Sequence, residues 1–172
     1  MLLPAMEKLV KAFGRLPGVG RRSAERMAYK VALDRGTLAN QILESLKDVK
    51  DHVTGCALCG SLTLKTEDPC GLCTDPRRDE RVLCVVEDPS DIITVEQSGG
   101  FRGRYHALMG KISPIEGEGI NDLRIQPLLK RLQTEGIEEI ILALNSNVES
   151  DATASYLQDV LQSSSVKVTR IA

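Results

Sequence analysis

Tryptophan is absent from the 172-residue sequence, and only two Phe and three Tyr supply aromatic surface. That scarcity weakens any mode of binding single-stranded nucleic acid by stacking bases on rings. No run of eighteen apolar residues occurs, which excludes a membrane-spanning helix. Met1 to Pro4 is apolar, but Glu7, Lys8 and Lys11 interrupt it too soon for a secretory signal. The expected compartment is therefore the cytosol, where disulfide scaffolds are rare. Low-complexity tracts are missing as well. The chain is 42% hydrophobic and 27% charged, a globular composition long enough for one domain or two to three small modules.

A net charge of −2 argues on its face against a nucleic-acid partner, but the charge is unevenly spread. Residues 1–50 hold ten Lys/Arg against five Asp/Glu, residues 51–78 three against four, and residues 79–172 nine against fifteen. A basic head, a near-neutral middle and an acidic body place any nucleic-acid surface at one end.

The middle carries the most specific signal. Cys56-Ala57-Leu58-Cys59 and Cys70-Gly71-Leu72-Cys73 are two CxxC pairs separated by a ten-residue arm. Each pair puts two sulfurs on a tight knuckle, and a two-stranded arm can fold the knuckles around a tetrahedral ion. Gly60 and Gly71 follow ligand positions, where positive φ is expected. Four thiolates suit Zn2+, and a closed four-sulfur site leaves no position for water or substrate, so the ion is structural. Two disulfides or a free-thiol core are the rival readings. His52 is nearby but reads as a surface residue, and Cys84 as a small core residue.

In the basic head, Met6, Leu9, Val10 and Phe13 form a helical stripe that must end before Pro17. Leu16-Pro17-Gly18-Val19-Gly20 makes a tight turn, and Ala24, Met27, Ala28 and Val31 mark a second helix. This resembles the helix-hairpin-helix motif of DNA-repair proteins. Gly18 and Gly20 let backbone approach a phosphate, amides at the start of the second helix face the anion, and Arg21, Arg22, Arg26 and Lys30 add charge. Such a device addresses the phosphate backbone, without sequence preference and with strong salt dependence. The bland alternative is a helical hairpin with solvated arginines. A third helix, capped by Thr37 and striped by Leu38, Ile42, Leu46, Val49 and Val53, is expected to pack on the hairpin.

The acidic body alternates strands and helices. Arg81 to Val86 and Glu138 to Asn145 read as buried strands, Val166 to Ile171 as a third clear strand, and a further strand is expected around Tyr105 to Met109. Helices are expected at Ser90 to Gln97, at Asp122 to Thr134, and after a Ser150 cap. The fold class is α/β: a mostly parallel sheet with helices on both faces. Acids follow two strands, Glu87 with Asp88, and Glu149 with Asp151. That arrangement resembles the Toprim domain, whose carboxylates hold Mg2+ against a phosphodiester. Placement at a helix N-terminus for its dipole accounts for Glu149 and Asp151 equally well.

A helix-hairpin-helix (1–53), a C4 zinc finger (54–78) and a Toprim-like region (79–172), in that order, resemble the RecR family of recombination mediators. Besides the motifs above, Asp75-Pro76-Arg77-Arg78-Asp79, Phe101-Arg102-Gly103, Tyr105-His106, Val148-Glu149 with Ala152-Thr153-Ala154, and Thr169-Arg170-Ile171-Ala172 carry the likeness. The resemblance implies a bacterial, cytoplasmic, nucleoid-associated protein with structural zinc and no catalytic residues. It implies binding to double- and single-stranded DNA, and action with RecO or RecF at gaps to help load RecA. It also implies dimers or tetrameric rings, Arg22 and Arg26 as DNA contacts, and Toprim acids facing partner proteins more than Mg2+. The family pattern continues past residue 172 by a strand and short helix, so the chain reads as C-terminally truncated. The alternative function is a Mg2+-dependent nuclease or strand-transfer enzyme using Glu87, Glu149 and Asp151.

Overall fold

The computed structural model describes residues 3–113, 119–162 and 164–171; residues 114–117 of the expected Ser113-to-Gly117 loop lie outside them. Two compact units emerge, Met1–Asp51 and His52–Ala172.

In the first unit, α1 (Pro4–Phe13) starts with proline at its first helical position, where no N–H is needed. Helix α2 (Arg21–Leu33) buries only Ala24 and Ala28, the small side chains that let α1 and α2 approach closely. Helix α3 (Thr37–His52) begins where expected, but Thr37 is not its cap. The Asp34 carboxylate accepts from the Leu38 N–H at 2.6 Å and from the Thr37 hydroxyl at 3.1 Å. A carboxylate satisfies the orphan amide more strongly than a hydroxyl, and Asp34 stands at the right offset to reach it. The expected stripe is only partly used. Leu38 and Ile42 are half-buried, while Leu46 and Val49 stay 63% and 56% exposed.

The second unit opens with a hairpin of β1 (Val53–Gly55) and β2 (Leu62–Leu64), paired antiparallel from Val53↔Leu64 to Gly55↔Leu62. These strands flank the first cysteine knuckle, whereas the sequence suggested both within the arm; only β2 lies there. Gly60 has the expected positive φ of 84°, but Gly71 does not, because it opens the short helix α4 (Gly71–Thr74).

The sheet follows: β3 (Asp79–Val86), α5 (Pro89–Ser98), β4 (Gly103–Ala107), a 3-10 turn at Ile120–Asp122, α6 (Ile125–Thr134), β5 (Glu139–Leu142), α7 (Val148–Leu161) and β6 (Lys167–Arg170). Strand order is β4-β3-β5-β6, and every pairing is parallel. Strand β3 lies inside the sheet, which is why it reads as a continuous apolar run. Its side chains alternate between two cores. Leu83 and Val85 join Leu128 of α6 and Leu157 of α7, while Cys84 and Val86 join Ile92 of α5, Tyr105, Ala107 and all four clasp cysteines. Both faces are thus covered, one by two helices and the other by a helix and the cysteine clasp. Cys84 is 1% exposed, and burial pushes its thiol up to about 12, as suits a core residue. Among the described residues, no helix is long and apolar enough to cross a membrane.

Candidate metal centre and nucleic-acid interface

The hairpin turn obeys simple dihedral rules. The Val19 N–H donates to the Leu16 carbonyl at 3.1 Å, closing a turn with Pro17 and Gly18 at its centre. Gly18 has φ 73°, the left-handed value a type II turn requires at that position. Gly20 is different. Its φ of −73° suits any residue, and a Cβ there would meet nothing within 4 Å. Among the described residues, nothing requires glycine at 20. Gly20 is the N-cap of α2, no side chain caps the first amides, and no acidic residue occupies the first turn. Those features leave an electropositive helix start.

Arg21, Arg22, Arg26 and Lys30 are all exposed. Arg22, Arg26 and Lys30 recur every fourth residue and so share one face. Arg21 instead pairs with Glu25 at 3.1 Å. Arg15, beside the turn, is exposed too; the sequence reading passed over it, although a basic residue next to the Pro-Gly turn was its signal.

The cysteines converge. All four sulfurs of Cys56, Cys59, Cys70 and Cys73 lie within 4.8 Å of one another and are buried. Cys56 and Cys73 are 3.9 Å apart, and Cys59 and Cys70 3.4 Å. Zinc–sulfur bonds of about 2.3 Å in a tetrahedron put sulfurs about 3.8 Å apart, so this cage has the right size. None of the four is in a disulfide. Backbone N–H groups of Ser61 and Cys70 donate to the sulfurs of Cys59 and Cys56 at 3.4 and 3.3 Å, a contact that favours thiolate. The Cys73 thiol, hydrogen-bonding to Cys59, draws the Cys59 pKa down to about 5. Burial pushes Cys70 up to about 11, and the bond to Cys59 drives Cys73 upward too. A divalent cation taking these sulfurs as thiolates therefore displaces protons. The donor set fits zinc. His52 is exposed and outside the group.

The acids at the carboxyl ends of the strands each have a partner. Glu87, 5% exposed, accepts from the Asn145 backbone N–H at 2.9 Å and its side-chain amide at 2.8 Å. Asp88 caps α5, accepting from the Ser90 N–H at 2.9 Å within a capping box shared with Asp91. Glu149 is bound by Lys111, which lowers its pKa most, and by the Ser113 hydroxyl at 2.7 Å. Asp151 pairs with Arg170. Among the described residues, only the cysteines bring three or more metal-ligating atoms together. The cap of α7 is Asn147, not Ser150: its side-chain oxygen accepts from the Ser150 N–H at 2.9 Å.

Two residues outside the sequence reading organise this unit. Arg124 reaches the carbonyls of the first knuckle, and Arg131, 5% exposed, binds Glu135 and the Tyr105 carbonyl. A lone Arg within a helical stripe gives little warning of either role.

Comparison with known proteins agrees with this architecture. A model described as "RecR, helix-hairpin-helix" matches residues 6–50, and a Toprim-domain model matches residues 81–172. The recombination protein RecR of Chlorobium luteolum is 46% identical over 171 residues, spanning 98% of this chain and 84% of that protein. This chain belongs to the RecR family. The RecR of Thermobifida fusca is 45% identical over 168 residues, covering 98% of this chain and 83% of its own length. For Syntrophotalea carbinolica RecR the identity is 44%, with coverage of 98% and 84%.

Proposed function

We propose that this RecR-family chain is a non-enzymatic DNA-binding recombination mediator in DNA repair. In this reading it acts in the cytoplasm with RecO, RecF or both to help load RecA at single-strand gaps. The observation that carries it is the hairpin: an uncapped helix start at Gly20 beside exposed Arg21, Arg22, Arg26 and Lys30. These groups address phosphate and read no base, so double- and single-stranded DNA both bind without sequence preference. The clasp holds structural Zn2+, and the protein works as a homo-oligomer, a dimer or tetrameric ring. Glu87, Asp88, Glu149 and Asp151 shape a partner-facing edge rather than a Mg2+ site.

The test is DNA affinity against salt for wild type and for Arg22→Ala combined with Arg26→Ala. Each lost phosphate contact on duplex DNA flattens the slope of log K on log salt by about 0.9, so the double variant should be shallower by about 1.8. Equal slopes and affinities would remove the hairpin from the DNA interface. Cleavage of labelled DNA in Mg2+ or Mn2+, abolished by Glu87→Ala, would replace this reading with the nuclease.

A further inference from the structure

The two cysteine knuckles are held by different means. In the first, every backbone carbonyl from Cys56 to Cys59 accepts a hydrogen bond. The Arg124 Nη2 donates to Ala57 O at 2.7 Å and Leu58 O at 3.2 Å, and its Nη1 to Cys56 O at 3.4 Å. The Ala107 N–H of β4 donates to Cys59 O at 2.7 Å, and the Gly60 N–H to Cys56 O at 2.9 Å. Arg124 is itself anchored on both sides. Its N–H donates to Leu108 O at 2.9 Å, and its carbonyl lies 2.8 Å from His106 Nε2. The guanidinium passes directly over Gly60, where a Cβ would lie 2.5 Å from Nη1. Among the described residues, the carbonyls of the second knuckle take donors only from Cys73 to Asp75, although Cys70 and Cys73 pack in the same core. The Cys70 carbonyl takes the local N–H groups of Cys73 and Thr74, and the Cys70 N–H donates to the Cys56 sulfur.

We propose that Arg124 is a positioning residue that presets the Cys56–Cys59 knuckle against the sheet, so that metal binding is completed by closure of the Cys70–Cys73 knuckle. One sulfur pair is held ready by the protein, and the other is gathered by the ion. A planar fork suits the task, because it can serve several carbonyl oxygens from one rigid group. The positive charge also offsets the net negative charge of a tetrathiolate zinc site. This inference is independent of how the protein meets DNA.

Hydrogen exchange on the full chain, with zinc bound and after stripping by a chelator under reducing conditions, tests it. In stripped wild type, the Gly60, Ser61 and Ala107 amides, which belong to the first knuckle or its fastening, should keep their protection, while the Cys70 amide, whose acceptor is the Cys56 sulfur across the cage, should lose at least about ten-fold. Arg124→Met should lose protection at Gly60 and Ala107 and take up Co2+ more slowly, read from its thiolate charge-transfer band. Arg124→Lys keeps the charge without the fork and should restore little. Equal exchange at both knuckles in stripped wild type overturns the proposal, even if the Met variant fails to fold. So do unchanged protection in Arg124→Met and full rescue by lysine.

Discussion

His106 should make the fold lose stability as pH falls, in a window that opens well above carboxylate titration. The ring is fully buried, with Nε2 2.8 Å from the Arg124 carbonyl and Nδ1 3.5 Å from Arg131 Nη1. A guanidinium cannot accept, so Nδ1 accepts from it and Nε2 carries the proton. A second proton on Nδ1 would face Arg131 with no acceptor. Burial is the main cause that pushes this imidazole from its usual 6.5 down to about 4; the charges of Arg131 and Arg124 act in the same direction, and the Arg124 carbonyl opposes them. The folded state therefore keeps the ring neutral, while the unfolded chain takes up a proton below 6.5. The stabilisation is complete above that value and is lost as pH falls toward 4. From about pH 7 to about pH 4.5 the loss comes to about 2.4 kcal/mol. Urea titrations of wild type and His106→Gln at both pH values, with zinc in excess, measure it. Thiolate protonation is common to both proteins and cancels in the difference, so wild type should lose about 2.4 kcal/mol more than the variant. Parallel losses in the two proteins would refute the argument.

Two further perturbations follow from the sheet. At Gly103 a Cβ would lie 2.5 Å from both the Val82 carbonyl oxygen and the Phe101 ring, so Gly103→Ala should cost at least about 2 kcal/mol in urea unfolding. Glu87→Leu strands the Asn145 backbone amide, so it should destabilise by about 1–3 kcal/mol by the same measurement. An acid kept only to hold a metal ion would give the opposite sign, because removing an unneeded buried charge relaxes the fold.

The parts visible in the sequence were those whose cause is local. The run from Arg81 to Val86 announces a buried strand because β3 is covered on both faces. The cysteine quartet announces its cage because the spacing itself sets the geometry. Where one partner is remote, the signal fades. Arg124 meets a knuckle 66 to 68 residues away, and no periodicity marks that pairing. Caps failed for a subtler reason. Thr37 and Ser150 are good capping residues, but Asp34 and Asn147 stand three positions earlier, with side-chain oxygens already aimed at the open amides. The nearer candidate by composition lost to the one with the right offset.

The acids illustrate the same limit with a functional consequence. From sequence, Glu87, Glu149 and Asp151 are three carboxylates at the ends of parallel strands, a reasonable ion cradle. In the fold each is already answered: Glu87 by two Asn145 donors, Glu149 by Lys111 and Ser113, and Asp151 by Arg170. An ion binding all three would have to displace two cationic side chains and break three hydrogen bonds from neutral donors before making its own contacts. The same pairings instead fasten loops across the carboxyl edge. Glu149 on α7 ties down the segment after β4, and Glu87 holds the end of β5 beside β3. An edge fastened in this way keeps a defined shape, and shape is what a protein partner reads. In the proposed reading these carboxylates serve recognition, in the alternative they serve phosphodiester chemistry, and the predicted sign for Glu87→Leu is where the two diverge.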